Sequence, residues 1–115
     1  MELEASVRIL SALAHASRLS VFRLLVQAGE AGLPAGEIAR LTAIVPSTLS
    51  THLGVLTQAG LILARRDGRL IIYTADYARM RELLGFLLED CCAGAPEVCA
   101  PLAEIAARAA CCPVG

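Results

Sequence analysis

Cysteine is the residue type in this sequence whose spacing points most directly to chemistry. Cys91 and Cys92 are adjacent, and Cys99 follows after six residues that include Gly94 and Pro96, which let the chain fold back. Three thiolates with no histidine nearby in the sequence suit a soft ion that prefers sulfur. Trivalent arsenic or antimony fits best, because each forms three bonds to sulfur and keeps a lone pair where a fourth ligand would go.

Other ligands for these cysteines stay open. Structural zinc requires a closed set of four donors, so it would need Cys111 or Cys112 in addition to the three thiolates. Cadmium or lead could occupy three thiolates. The pair Cys111 and Cys112 would complete or duplicate the site, or would lie in an exposed tail with no role. Cys91 and Cys92 could also pack as small hydrophobic residues in a subunit interface, although adjacent helical residues point about 100° apart.

Redox chemistry is the nearest rival, with a disulfide among Cys91, Cys92 and Cys99 acting as a thiol-redox or persulfide sensor. A structural disulfide framework fits poorly, because the count of five cysteines is odd. A thiol enzyme or an ion-carrying chaperone is also disfavoured. The sequence has no Cys-x-x-Cys, and neither histidine is close to the thiols along the chain to lower a cysteine pKa. We therefore expect no enzymatic activity.

Size and composition predict a small, mostly helical domain that pairs with itself. The chain has 115 residues, and a domain this small often gains stability by oligomerising. Hydrophobic residues make up 57% and aromatic residues 3%, so the core must be built from aliphatic side chains, as in packed helices. We expect one self-pairing domain over residues 1–92 and a cysteine-bearing extension over residues 93–115.

The net charge of −1 conceals an uneven distribution. Residues 38–75 hold four arginines and one acid, a balance of +3, whereas residues 86–115 hold one arginine and four acids, a balance of −3. A basic middle suits phosphates, and an acidic end suits cations. The acidic start, Met1-Glu2-Leu3-Glu4, lacks the features of a signal peptide, and charges interrupt every apolar run. We expect a cytoplasmic protein with no membrane partner.

Helical spacing predicts two helices at the start of the chain, followed by a loop at 32–36 and a short helix at 37–42. Ser17 is the predicted N-cap of the second helix, and Gly29 its end. His15 is expected to be a cap or a packing residue. The first helix has one apolar face, formed by Leu3, Val7, Leu10 and Ala14.

A fourth helix is predicted over 46–59, because Pro46 suits a first helical turn, where its missing N–H is not needed. Its apolar positions would face inward. Five polar side chains are then left facing outward, namely Ser47, Thr48, Ser50, Thr51 and His52. A contact between His52 and DNA is as well supported as a structural role for this residue.

Next comes a predicted hairpin with an arginine-rich tip. Apolar runs at 61–64 and 70–73 flank Asp67-Gly68, a dipeptide typical of turns in which both central residues need positive φ. A longer helix then runs from Asp76 to a break near residue 93, and a last helical stretch covers 100–110. The arginines at the tip are Arg65, Arg66 and Arg69.

This order of elements is typical of a winged helix-turn-helix, which is mostly α with a β-hairpin. The fourth helix would enter the major groove of double-stranded operator DNA, where Ser, Thr and His side chains bond base edges and phosphates. The hairpin arginines would lie along the backbone or the minor groove. Each feature alone also has a simpler explanation, because polar residues solvate surface helices and arginines keep hairpin tips soluble.

Three segments resemble the ArsR/SmtB family of metalloregulatory repressors: LAHASRLSVFRLL (13–25), STLSTHLGVL (47–56) and AGLILARRDGRLIIY (59–73). The resemblance covers about residues 5–90. It implies a homodimer joined by its first and last helices, which leaves the operator when a metal or metalloid binds, with no cofactor for folding. The implied interface residues are Leu3, Val7, Leu10, Met80, Leu84 and Leu87.

The sequence departs from the family pattern in several places. Thr51 and Gly54 stand where the family often has a large or charged residue and a lysine, which predicts weak direct base readout. Residues 33–40 lack the cysteine pair of typical arsenic-responsive members, and the helix from Asp76 to Asp90 lacks the histidines of the zinc sensors. The C-terminal cysteines instead resemble an arsenic-responsive subgroup, which implies arsenite or antimonite as inducer.

Overall fold

The computed structural model describes residues 1–89. Its helices are α1 (Leu3–Leu13), α2 (Ala16–Ala28), α3 (Ala35–Thr42), α4 (Pro46–Gln58) and α5 (Tyr77–Leu88). Its strands are β1 (Leu33–Pro34), β2 (Ile62–Asp67) and β3 (Leu70–Ala75), and a 3-10 turn covers Gly29–Ala31. The predicted winged helix-turn-helix is confirmed. The extension at 93–115 and the predicted helix at 100–110 lie outside the described residues.

The core lies where α2, α4 and the base of the hairpin meet. The side chains most completely enclosed there are aliphatic and include Val21, Leu25, Ile38, Leu56 and Leu61. One aromatic residue, Phe22, belongs to the same cluster. A core of this composition agrees with the low aromatic content of the chain.

The first helix has two apolar faces, of which the sequence pattern revealed one. The face on the core is formed by Ser6, Ile9 and Ala12. Ser6 is tolerated there because its hydroxyl donates to the Leu3 carbonyl oxygen at 2.6 Å. The predicted face is exposed instead, and it comprises Leu3, Val7, Leu10 and Ala14.

Two of the three helix-end predictions hold. Gly29, with φ of 73°, ends α2 as expected. The N-cap of α2 is His15 rather than Ser17, because His15 Nδ1 accepts from the Ser17 backbone N–H at 3.2 Å. The prediction of Ser17 as cap is therefore wrong, and that of His15 as a cap or packing residue is confirmed. At the start of α5, the Asp76 side chain caps the helix by accepting from the Arg79 backbone N–H.

The sheet has three antiparallel strands in the order β1-β3-β2. Leu33 pairs with Tyr73 and Pro34 with Ile72, so the predicted loop at 32–36 in fact contributes an edge strand. Two residues are too few to show an alternating pattern in the sequence. Pro34 is compatible with the sheet because β1 lies at its edge, where one side of the strand needs no ladder partner.

The hairpin turn lies one residue later than predicted. Asp67 pairs with Leu70, so the two central residues are Gly68 and Arg69. Gly68 has φ of 63°, whereas Arg69 is not among the residues with positive φ. This is the pattern of a type II′ turn, which needs glycine at the first central position only. The prediction of Asp67-Gly68 as central residues is therefore wrong.

Across residues 1–89, no single helix is long and apolar enough to cross a membrane. Only α1 together with the segment Ala16–Ala31 has the necessary length and composition, and these two are bent by 99° relative to each other.

Gly32 should be the least replaceable glycine of the fold. Its φ is 66°, and a Cβ there would collide with the Tyr73 carbonyl oxygen and lie 2.6 Å from Thr74 Cγ2. Gly29 has a similar φ of 73°, but a Cβ there would meet nothing within 4 Å. Gly29→Ala should therefore lower the free energy of unfolding by about 1–3 kcal/mol through backbone strain alone, because its φ of 73° and ψ of −160° suit glycine. Gly32→Ala should lower it by about 1–3 kcal/mol more, because β1 and β3 must move apart.

Urea unfolding followed by circular dichroism would measure both variants. Equal shifts in the denaturation midpoint would contradict the predicted collision with β3.

Candidate nucleic-acid interface

A tight turn directs α4 away from α3. Ala43 has φ of 58°, the left-handed conformation that side chains other than glycine rarely adopt, and it reverses the chain after α3. Pro46 then begins α4 at its first turn, as predicted. The Thr42 hydroxyl donates to the Ile38 carbonyl oxygen at 2.7 Å and completes the end of α3. The turn thereby fixes the direction of α4 relative to α3.

The two sides of α4 have opposite character. Leu49, Leu53 and Leu56 are buried, and they occupy one side of the helix because of their spacing. The other side exposes four hydroxyl side chains, which we call the hydroxyl face: Ser47, Thr48, Ser50 and Thr51. Gly54 is exposed on the same side. The predicted exposure of these four side chains is confirmed, and it leaves a helix surface without bulky groups.

His52 is buried, so the prediction that it faces outward is wrong. Its side chain lies on the buried side of α4, with 8% of the residue exposed, and its ring centroid lies 4.7 Å from that of His15. The sequence held the signal, because positions 49, 52, 53 and 56 have the spacing of one helix face. A buried histidine at this position contacts the α1–α2 junction and is not available to DNA.

Burial also changes the ionisation of His52. Desolvation, followed by the nearby charges of His15 and Arg18, lowers the pKa of the His52 imidazole below its usual value. Within the described residues, His52 Nδ1 is buried and has no hydrogen-bond partner. A charged ring there would lack a compensating acceptor, so the native structure favours the neutral form.

The arginines of the predicted basic middle fall into three situations. Arg40 donates two side-chain hydrogen bonds to Glu37, one of them from Nε to Oε2 at 3.0 Å. This hydrogen bonding lowers the pKa of the Glu37 carboxyl. Arg65 donates to backbone carbonyls of the 3-10 turn. Arg66 and Arg69 are exposed near the hairpin tip, and within residues 1–89 their side chains make no hydrogen bond. The structure therefore leaves these two arginines most open to phosphate.

The predicted metal ligands Cys91, Cys92 and Cys99, and the accessory pair Cys111 and Cys112, all lie outside the described residues. Within residues 1–89, no three His, Cys, Asp or Glu side chains are close enough to hold a metal ion.

The predicted dimer residues are apolar and mostly exposed. On α1, the side chains of Leu3, Val7 and Leu10 are exposed, and on α5 so are Leu84 and Leu87. Met80, the sixth predicted residue, is half-buried against the core. Each of these helices therefore presents apolar surface to solvent in addition to the side that it packs on the core.

Known proteins share this arrangement. A helix-turn-helix domain family matches residues 13–65. The HTH-type transcriptional regulator YgaV of Escherichia coli (strain K12) is 30% identical over 89 residues, which are 77% of this chain and 88% of that protein. The homodimeric winged helix-turn-helix DNA-binding domain Mb0332 of Mycobacterium bovis, described as a possible ArsR-family transcriptional regulator, has a TM-score of 0.61 and 31% identity over 76% of this chain and 82% of that one.

This chain belongs to the ArsR/SmtB family. A further ArsR-family relative, from Halobacterium salinarum, carries the name of an arsenical resistance operon repressor. It is 43% identical over 67 residues, 58% of this chain and 51% of that protein. Fold and relatives are those of a DNA-binding transcriptional regulator and not of an enzyme.

The burial of His52 should make the stability of this ArsR-family domain depend on pH. Because the native pKa of His52 is lowered, the unfolded chain binds more protons than the native state below about pH 6.5. Its contribution is complete above that pH and is lost as the pH falls towards the lower native pKa. We expect the free energy of unfolding to decrease between pH 7.5 and about pH 5.5.

His52→Gln should flatten this dependence, and His15→Gln should keep it, since desolvation is the first cause of the shift. Urea denaturation at a series of pH values gives the slope for each protein. The same slope in wild type and His52→Gln would contradict the assignment to His52.

Proposed function

We propose that this ArsR-family regulator is a cytoplasmic, dimeric repressor that leaves its operator when trivalent arsenic or antimony binds Cys91, Cys92 and Cys99. The observation that carries the DNA-binding part is the hydroxyl face of α4. A helix with its leucines buried and small hydroxyl groups exposed along its first two turns can approach the floor of the major groove closely. The hydroxyl groups would donate to or accept from base edges and phosphates.

The hairpin supplies positive charge beside that helix. Arg66 and Arg69 are exposed on it, and each phosphate that an arginine neutralises releases counterions from the DNA. This contribution carries no sequence information, so it strengthens binding and sets the register, while α4 supplies the specificity. The absence of a large side chain on the hydroxyl face agrees with modest direct readout.

Dimerisation is supported by the exposed apolar sides of α1 and α5. Leucine and valine side chains on both helices lie in solvent in the single chain, and covering them would remove apolar area from water. The Mb0332 domain is described as homodimeric. In a symmetric pair, two α4 helices would meet successive major grooves about 34 Å apart.

The inducer part of the proposal rests on the cysteine spacing. Cys91 comes three residues after Leu88, the last residue of α5, so a ligand bound there would act next to the proposed dimer helix. The name of the Halobacterium relative supports arsenic as the inducer. Binding would change the tilt between subunits and misalign the two α4 helices. The ion must prefer the state that does not bind DNA, and DNA must then weaken ion binding equally.

Release by arsenite should be measurable by fluorescence anisotropy. The probe is a labelled duplex of about 30 base pairs, selected from a random-sequence pool with the wild-type protein, at fixed salt concentration. Arsenite or antimonite should weaken its binding to wild type by about 5- to 150-fold, the range of typical allosteric coupling. Cys99→Ser should bind the duplex as well as wild type does but should no longer respond.

Parallel titrations separate the alternatives. Release by zinc or cadmium alone would overturn the arsenic assignment. Release by peroxide or polysulfide, together with a disulfide among these cysteines in the mass spectrum, would establish redox sensing instead.

The dimer surface can be tested with two leucines of equal exposure. Leu84 on α5 and Leu41 on α3 are both 48% exposed. Leu84→Glu should raise the dimer dissociation constant by at least about tenfold, because a carboxylate loses its hydration in an apolar interface. Leu41→Glu should leave it unchanged. Sedimentation equilibrium measures both, and equal effects of the two substitutions would place the interface elsewhere.

A further inference from the structure

Arg65 makes a contact that neither hairpin arginine at 66 or 69 makes. Its Nη1 donates to the Glu30 carbonyl oxygen and its Nη2 to the Ala31 carbonyl oxygen, both at 3.1 Å. The two acceptors belong to the 3-10 turn that follows α2. They are carbonyls at the end of a helical segment, where oxygens lack partners within the helix and a positive charge is favourable.

The pairing of the strands explains why Arg65 and Arg66 differ. Successive residues of a strand point to opposite faces, and Arg65 lies opposite Ile72 whereas Arg66 lies opposite Ile71. Ile72 is 7% exposed and Ile71 is 46% exposed. Near the middle of the hairpin, the cross-strand neighbour of Arg65 is therefore covered, whereas that of Arg66 is open to solvent.

The path of the Arg65 side chain links the outer strand to the body of the domain. Arg65 is on β2, and β3 lies between β2 and β1 in the sheet. Its guanidinium reaches the 3-10 turn that precedes β1, and its strand partner Ile72 also pairs with Pro34 of β1. The contact ties β2 to the end of α2, and α2 packs against α4 in the core.

We propose that Arg65 is a positioning residue, which holds the hairpin at a fixed angle to α4 while Arg66 and Arg69 contact the DNA backbone. This inference rests on the proposed DNA-binding function and refines it. Two donors of the Arg65 guanidinium are already bound to protein carbonyls, so this group is not free to take the place of a phosphate counterion. Losing Arg65 should therefore weaken binding through geometry and not through charge.

Salt dependence of binding separates these roles. With the selected duplex, Arg66→Ala and Arg69→Ala should each reduce the slope of log affinity against log salt by about two, because each removes one phosphate contact from both subunits of the proposed dimer. Arg65→Ala should weaken binding by about tenfold with the wild-type slope. Arg65→Lys keeps the charge but cannot donate to both carbonyls in fork geometry, so it should lose nearly as much affinity as Arg65→Ala.

Hydrogen exchange supplies a measurement that does not depend on DNA. In Arg65→Ala, amides of β2 and β3 should exchange faster, while those of α2 and α4 keep their wild-type rates. Equally faster exchange throughout the domain would mean a general loss of stability and would overturn the positioning role. In Arg66→Ala, which serves as the matched control, the rates of β2 and β3 should not change.

Three results would overturn the inference: a slope for Arg65→Ala reduced like that of Arg66→Ala, wild-type affinity in Arg65→Ala, or full affinity in Arg65→Lys with a loss only in Arg65→Ala. Failure of the wild-type protein to select or bind any duplex would instead overturn the proposed function. Hydrogen exchange would then still decide whether Arg65 holds the hairpin.

Discussion

Burial of one side of α4 is the constraint on which the rest of the domain depends. Leu49, Leu53 and Leu56 insert between α2 and the base of the hairpin, and this packing leaves the helix no freedom to rotate about its axis. A rotation of one residue would move leucines into water and hydroxyl groups into the core, at a cost of several kcal/mol. The hydroxyl face is thus held outward by the interior. His52 completes the buried side, where it contacts the junction that His15 caps.

Much of the fold could be predicted from the sequence, and the misses have physical reasons. Periodicity located the helices because each has a continuous apolar side, and the hairpin followed from two apolar runs around Gly68. The strand β1 was missed because its two residues owe their pairing to β3 and not to their own pattern. Ser17 was predicted as the cap because serine often caps helices, whereas here the His15 imidazole nitrogen accepts from the Ser17 backbone N–H.

The candidate site shows the same division. Exposure of Ser47 and Thr48 could be predicted because it follows from helix geometry alone. The burial of His52 also had a signal in its spacing from the buried leucines. Its contact with the α1–α2 junction could not be predicted, nor could that of Arg65 with carbonyls 34 and 35 residues away, because these groups are distant in the sequence. The charge balance also depends on where the segment is taken to begin. The basic middle began at residue 38, one residue after Glu37, which binds Arg40.

The separation of the two sides of α4 also bears on how such regulators diverge. Positions 47, 48, 50 and 51 add nothing to the interior, and substitutions at exposed sites of this kind usually alter folding free energy by less than about 0.5 kcal/mol. Gene duplicates can therefore change the chemistry of that surface by single replacements while their scaffold stays intact. Evolutionary change of the outward side and thermodynamic robustness are, in this helix, independent of each other.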